Sequence, residues 1–360
     1  MKLIIVEGDG MKLWSFTTVK DEEDIIESFV RYNMNIFDGM VISDNGSNDK
    51  TLEILNKLKK EGYNIDILVD ESQYFDQVIK RNDLLQYTIK KYHPDFVFPI
   101  DADEFVCSTK KSNPRKVIEK LSQHVLYRYR MKNYVVNGKE DENDLFIPTK
   151  LKLLRDNEED KNHSYKCFIP KDIYEQNIFL EMGSHKATFI DNDREMPMEY
   201  LDDLYIAHYP VRSKFQLINK IVTGRLNNCS LHSREEGFGF HQYEILDEII
   251  KEGTISDDTL YQMSRDYSIL DKSTKYTITE SPINLKFCEK LTLKYTKKGN
   301  DDKLLSNTIK TSLAIINHMR EENKKEHLEY EKYKNEFMKV INSKTWRTKE
   351  KFVSLFKKRK

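Results

Sequence analysis

Short apolar runs alternate with amphipathic stretches through the first hundred positions. The runs at 13–18, 39–43, 65–69 and 96–100 are rich in Val, Ile, Leu and Phe and are bounded by polar residues or Gly, which predicts strands. After the acidic start Asp21-Glu22-Glu23-Asp24, Ile25, Ile26, Phe29 and Val30 recur at helical spacing, and negative charge there suits a helix N-terminus. Leu52, Leu55 and Leu58 predict a second helix with Ser47 or Asp49 as its cap. Val78, Ile79, Leu85 and Ile89 predict a third, which ends before His93-Pro94 because the residue preceding Pro avoids the helical region. Strands alternating with helices imply a parallel sheet flanked by helices. Pro99 falls inside the fourth strand, where a missing N–H interrupts the ladder. The leading run 2–6, closed by Gly8-Asp9-Gly10, predicts an added edge strand or hairpin.

Beyond about residue 130 the pattern loosens into mixed strand and loop up to roughly 206, the second half of a two-part α/β domain. Residues 214–226 and 243–251 then read as helices. From 304 to 341 the chain is strongly charged, with Leu313, Ile316 and Met319 at intervals, which predicts a helical tail. The expected organisation is a domain over 1–250 (halves at about 11–130 and 131–250), a helical extension over 251–343 and a basic aromatic tail over 344–360.

A 360-residue chain with 38% apolar residues can fill a sizeable core. Its 59 basic and 60 acidic side chains nearly cancel, which excludes a general nucleic-acid binder and leaves one basic patch, at the C-terminus. Glu7, Gly8, Asp9 and Gly10 cut the first apolar run too early for a signal peptide, and no later run is long enough to cross a bilayer. Cys107, Cys167, Cys229 and Cys288 show no metal-ligand spacing and read as buried thiols of a reducing compartment, so a cytoplasmic location is expected.

Two segments carry chemistry. The run Phe96-Val97-Phe98-Pro99-Ile100 is followed by Asp101-Ala102-Asp103-Glu104-Phe105, two carboxylates just past a strand, where open α/β sheets bind ligands. Mg²⁺ or Mn²⁺ bridges such carboxylates to substrate phosphates; a solvated acidic turn is the plainer alternative. In Val41-Ile42-Ser43-Asp44-Asn45-Gly46-Ser47-Asn48-Asp49-Lys50-Thr51, Asp44 ends a strand and can accept hydrogen bonds from a nucleobase or ribose, while the rest reads as turn and cap.

In order and spacing, Thr17-Thr18-Val19-Lys20-Asp21-Glu22-Glu23, the Asp44–Thr51 segment, Arg81-Asn82 and Asp101-Ala102-Asp103-Glu104-Phe105 resemble the signature of family 2 type glycosyltransferases with the GT-A fold. Tyr74-Phe75-Asp76-Gln77 and His208-Tyr209-Pro210-Val211-Arg212-Ser213, followed by Gln216 and Lys220, resemble a bacterial subgroup linked to surface polysaccharides. The resemblance spans roughly residues 11 to 250. It implies a GT-A-like, Rossmann-type nucleotide-binding α/β sheet flanked by helices, with a C-terminal helical extension. It also implies Mn²⁺ or Mg²⁺, a nucleotide-diphosphate sugar donor, and a saccharide or lipid-linked acceptor. Thr17 and Asp44 then match positions near the nucleobase, Arg81 one near the donor diphosphate, Asp101 one near the ribose and Asp103 the metal ligand. Asn45 stands where the common pattern has a second Asp, which leaves donor preference open.

His208 reads either as structural or as a contact to metal or diphosphate, and Asp101 is a further metal candidate. Arg212 and Lys220 suit phosphate by charge and reach. Transfer needs a base for the acceptor hydroxyl; Glu181, beside Gly183-Ser184-His185, is the candidate, with Asp202, Asp203, Glu235 and Glu236 competing. The tail 344–360 interleaves eight basic residues with Trp346, Phe352, Leu355 and Phe356, a composition that suits anionic lipid at the inner face of the plasma membrane. Two rival readings stand beside the transferase: an aspartyl-phosphate phosphohydrolase with Asp101 as nucleophile, and a non-catalytic nucleotide-sugar or carbohydrate-binding subunit.

Overall fold

The computed structural model describes residues 10–70, 77–156, 165–190, 194–230, 245–269, 275–298 and 301–341. The predicted strand at 2–6, the segment 74–76, Glu235, Glu236 and the tail 344–360 lie outside the described residues. Two compact units divide the chain at 311/312. The site described below belongs entirely to the first.

Strands β1 (Leu13–Val19), β2 (Gly39–Asp44), β3 (Ile65–Val69) and β4 (Phe96–Pro99) alternate with helices α1 (Ile26–Asn33), α2 (Thr51–Glu61) and α3 (Gln77–Tyr92). The four strands are parallel in the order β3-β2-β1-β4. Strands β1, β2 and β4 are buried for most of their length, as a sheet covered on both faces requires, while the edge strand β3 is buried only at Ile65. Strand β4 stops at Pro99, one residue short of the expected end. Its partner on the far side pairs only with Phe96 and Val97, so the missing N–H falls where that ladder has already ended.

Helix α1 starts at Ile26 with no side-chain cap, and Glu22 and Asp24 point instead to Arg212. Helix α2 starts at Thr51, whose N–H donates to Asp49 Oδ1 at 2.8 Å, while Ser47 bonds to Asp44.

The second half continues the sheet. Strand β5 (Glu104–Ser108), the short helix α4 (Arg115–Ile118), β6 (Leu126–Val135), the turn α5 (Ile147–Lys150), β7 (Leu153–Asp156), β8 (Tyr165–Pro170) and α6 (Lys171–Tyr174) follow in order. Then come the hairpin β9 (Ile178–Leu180) and β10 (Ala187–Phe189), the long β11 (Met198–His208), and helices α7 (Lys214–Ser230) and α8 (Leu246–Glu252). Strand β8 lies antiparallel to β4 and β6, which extends the sheet, while β11 runs parallel to β6 and antiparallel to β5. Stacked Phe98 and Phe168, with ring centroids 4.4 Å apart, join the two halves in one aromatic core with Tyr127 and Tyr129. Among the described cysteines Cys107 and Cys167 are buried thiols as expected, whereas Cys288 is only half-buried.

Over 251–343 the chain is not helical throughout. Helix α9 (Asp257–Arg265) is capped by Ser256, whose hydroxyl accepts the Thr259 N–H. Strand β12 (Thr277–Glu280) then pairs with β7, and an extended stretch to 298 lies against α1 and α2 before α10 (Asp301–Ile341) begins. Buried Ile255, Leu260, Met263 and Ile283 tie this region into the core, which is why it departs from a helical appendage. Within the described residues no helix is long and apolar enough to cross a membrane.

Candidate functional site

Strand register builds the site. Beyond β4 the chain turns through Asp101-Ala102-Asp103 and leaves as β5, with the Glu104 N–H closing the turn on the Asp101 carbonyl at 3.0 Å. In the β5–β11 ladder Glu104 stands opposite His208, and in the β6–β11 ladder His208 stands opposite Asn133. His208 is thus carried to the Asp-x-Asp turn by pairings more than seventy residues apart in sequence. Its Nδ1 lies 2.7 Å from Asn133 Oδ1, an atom that can only accept, so Nδ1 carries a proton. The opposite nitrogen, Nε2, faces Asp103 Oδ2 at 3.6 Å.

One ligand atom from each of Asp103, Glu104 and His208 lies within 4.8 Å of the others. Ligands about 2.1 Å from one cation are separated by roughly 3–4.2 Å, so atoms within 4.8 Å of one another need close in only slightly to share an ion. Glu104 Oε1 is buried and has no hydrogen-bond partner among the described residues, a state that is costly unless a ligand completes it. Its second oxygen accepts the Asp101 N–H and the Lys166 ammonium, each at 2.8 Å. Burial holds the Glu104 carboxyl above its usual range despite Lys166. An acceptor nitrogen on His208 facing the Asp103 carboxylate likewise calls for a proton or a cation between them. The three side chains therefore fit a hard divalent cation.

Asp101 stands apart from this trio. One oxygen is ion-paired with Arg81 and the other with Lys166 at 2.7 Å. Burial pushes its carboxyl up, and the two cations more than reverse that, leaving it well below the carboxylate range. Arg81 also donates to Ser184 Oγ at 2.7 Å, which draws the turn after β9 against the site. Glu181 is on this turn and half-buried.

Two cations flank Asp103, Lys220 Nζ at 3.4 Å and Arg212 Nη1 at 3.9 Å, and the His208 ring stands 3.6 Å away. They overcome the upward push of burial and hold its carboxyl well below the usual range. Arg212 is itself gripped by Glu22 at 2.6 Å and Asp24 at 2.7 Å.

Asp44 lies at the same sheet edge, since Val19 of β1 pairs with Asp44 and Phe16 pairs with Pro99. Its carboxylate accepts the Ser47 hydroxyl at 2.5 Å and the Ser47 N–H at 3.2 Å. Ser47 in turn accepts the Asp21 N–H, and Glu22 reaches Arg212, so the loop after β1 links the two acidic segments. Asn45 Oδ1 accepts from Lys80 at 2.5 Å. Thr17 is buried in β1 with its hydroxyl 3.5 Å from the Thr18 carbonyl. Asp202 and Asp203 are not brought to the site. They lie at the other end of the β5–β11 ladder, where Asp203 pairs with Lys110, and at about 3.3 Å per residue Asp203 is roughly 17 Å along the strand from His208.

Glu104, Lys166, Asn133, Ser184, Glu22 and Asp24 belong to the site without having been singled out from sequence. A lone Lys in the apolar run Tyr165–Pro170 was the one available signal, since a strand buried at that position does not hold a cation without partners.

No protein-family model matches this chain, and no curated protein matches it. Among solved structures it is similar to the mannosyltransferase of Pyrobaculum calidifontis in complex with GDP-Man and Mn²⁺: 9% identity over 94% of this chain and 83% of that one, TM-score 0.37. It is also similar to glucosyl-3-phosphoglycerate synthase of Mycobacterium tuberculosis in complex with Mn²⁺, UDP and glucosyl-3-phosphoglycerate, at 14% identity and a TM-score of 0.27. That match covers 48% of this chain and only 61% of the synthase. At such identities and scores neither likeness assigns a role to any residue here.

A cavity of about 370 Å³ is lined by Arg212 together with Asp21 and Asp24, but not by Asp101 or Asp103. Arg212 is the shared wall.

Proposed function

We propose that this chain is a metal-dependent glycosyltransferase that moves a sugar from a nucleotide-diphosphate donor onto an acceptor hydroxyl. The observation that carries the reading is the trio Asp103, Glu104 and His208, with the orphaned Glu104 oxygen, set among Arg81, Lys220 and Arg212. Oxygen ligands with one imidazole suit Mn²⁺ or Mg²⁺. Such an ion, when bound, draws off the negative charge that develops on a departing diphosphate.

The chain's own groups then have separate tasks. Arg81 and Lys220, each held by a carboxylate, can turn to phosphate oxygens without moving far. Asn133 keeps His208 in the tautomer that presents Nε2 to Asp103 and Glu104. Thr17 and Asp44 take the nucleoside end, and Asp101 sets the positions of Arg81 and Lys166. Glu181 receives the acceptor proton on the face opposite the leaving group, which gives inversion. Assembly of surface polysaccharide and contact of the tail 344–360 with anionic lipid are parts of this proposal that rest on the sequence resemblance. The phosphohydrolase reading is disfavoured because both oxygens of Asp101, its required nucleophile, are in ion pairs.

The test is a thermal-shift screen of nucleotide-diphosphate sugars with and without Mn²⁺, starting with UDP- and GDP-linked sugars. A donor that binds only with Mn²⁺ raises Tm, and Asp103→Asn removes that shift. Undiminished donor binding by Asp103→Asn in excess chelator would overturn the proposal.

A further inference from the structure

The hairpin β9–β10 carries an outer face that the metal and phosphate groups do not use. Ile178 and Leu180 of β9 and Ala187 and Phe189 of β10 pack into the core, so by the two-residue period of a strand Phe179 and Thr188, which stand opposite each other, face outward. Phe179 is 39% exposed, and Met182 in the turn and Ile190 just past β10 are 42% and 61% exposed. Large apolar side chains gathered on one outer face mark a binding surface.

Two neighbouring residues of α3 fasten this hairpin to the site. Asn82 accepts the Leu180 N–H at 2.8 Å and donates to the Leu180 carbonyl at 3.0 Å, as a third strand would. Arg81, ion-paired with Asp101, donates to Ser184 Oγ. The turn closes on itself: the Ser184 N–H donates to the Glu181 carbonyl and the Glu181 N–H to the Lys186 carbonyl, each at 3.0 Å. Gly183, at φ +68°, lets the His185 ring lie over this turn, where a Cβ would collide with it. His185 Nδ1 stands 2.5 Å from the Tyr165 carbonyl oxygen, which only accepts, so Nδ1 carries a proton and Nε2 is an acceptor. Burial pulls the imidazole below its usual value, which keeps it neutral at pH 7. Among the described residues neither His185 Nε2 nor the Glu181 carboxylate has a hydrogen-bond partner.

An exposed ring beside two open acceptors is satisfied by a sugar, whose C–H face covers the ring and whose hydroxyls donate to the acceptors. Glu181 is still extended, so it continues the outward face of Phe179 about 7 Å farther along the strand. That separation places the sugar over Phe179 next to the one whose hydroxyl reaches Glu181. We propose that the outer face of β9–β10 is an acceptor platform for a saccharide of at least two rings, the terminal sugar held at Glu181 and His185 and the next one stacked on Phe179. The assignment rests on the glycosyltransferase reading, in which Glu181 takes the acceptor proton; Phe179 and His185 bind and position the acceptor and take no proton. Arg81 and Asn82 then hold this platform against the donor side.

Two titrations of the full chain, both read by calorimetry, test this. One, with Mn²⁺ and UDP- or GDP-linked sugars, reports the donor side. The other, with a panel of neutral mono-, di- and trisaccharides, reports the platform. A di- or trisaccharide should bind about tenfold or more tightly than its terminal monosaccharide. Phe179→Ala, a change at an exposed position, should remove that gain and leave donor affinity unchanged. His185→Ala should weaken binding of the same saccharides about fivefold or more, and His185→Gln, which keeps an acceptor but takes no proton, should restore most of the loss. Donor binding without any di- or trisaccharide binding would overturn the platform alone, as would a second-ring gain that survives Phe179→Ala. A His185→Gln variant as weak as His185→Ala would overturn the positioning role of His185. Saccharide binding with all these responses but no Mn²⁺-dependent donor binding would overturn the transferase reading and leave a carbohydrate-binding hairpin.

Discussion

Replacing Glu27 by Ala should cost this protein far more than an acid on an amphipathic helix normally would. Glu27 is fully buried and accepts four charge-assisted hydrogen bonds: Arg31 Nε at 2.8 Å, and the N–H groups of Lys294, Tyr295 and Thr296 at 2.7, 2.8 and 2.6 Å. Arg31 keeps Glu61 as a partner, so its charge is not abandoned. The three backbone donors lose their acceptor at positions packed against α1 and α2, and hydrogen bonds to a charged acceptor contribute about 1.5–3 kcal/mol each. Water entering the vacated space restores part of this, so a net loss of about 3–5 kcal/mol is expected, the size typical for one partner removed from a buried ion pair. Urea unfolding at pH 7 should show a lower midpoint with unchanged m. Hydrogen exchange should show protection lost at 294–296 well before the parallel sheet opens. A loss below about 1 kcal/mol, with those amides still protected, would refute the account.

Other outcomes follow from the same geometry. Asn133→Ala should weaken Mn²⁺-dependent donor binding about 10–100-fold by freeing the His208 ring, and calorimetry showing wild-type affinity would contradict the orienting role. Arg31 holds the Glu61 carboxyl down at about 2 against an ordinary 4.5. A depressed folded value means stability present above pH 4.5 and lost as pH falls towards 2, so Glu61→Gln should flatten that acid limb, as urea midpoints across the range would record. A Cβ at Gly39 would collide with the Trp14 ring, which is stacked on Tyr92 at 3.5 Å, so Gly39→Ala should destabilise by about 1–3 kcal/mol through overpacking. A Tm equal to wild type would show that the ring has room to move.

The first four strands, the three helices between them and the placing of Asp101 and Asp103 beyond β4 were legible along the chain. Each follows from local period or from a turn residue, information held within ten or so positions. The metal trio was legible only in part. Asp103 announces itself by spacing and His208 was left open, but Glu104 looks like any acid after a turn until β11 pairs with β5 and brings His208 opposite it. Lys166 and Asn133 owe their roles to pairings of β8 and β11 with β6. The acidic start of α1 reads as helix-dipole charge, yet two of its members are needed to hold a cation nearly two hundred residues away. For the same reason Glu27, an unremarked polar position on α1, becomes the acceptor for a segment near 295.

Sequence by itself therefore determined the parallel α/β half, the edge at which charged groups gather and the presence of a long charged helix. Only the tertiary structure decided which carboxylates stay paired, which oxygen is left without a partner and where a second cavity lies. Periodicity depends on each residue's near neighbours. Partnership of buried charges depends on strand register and long-range docking, which no short window of the chain contains.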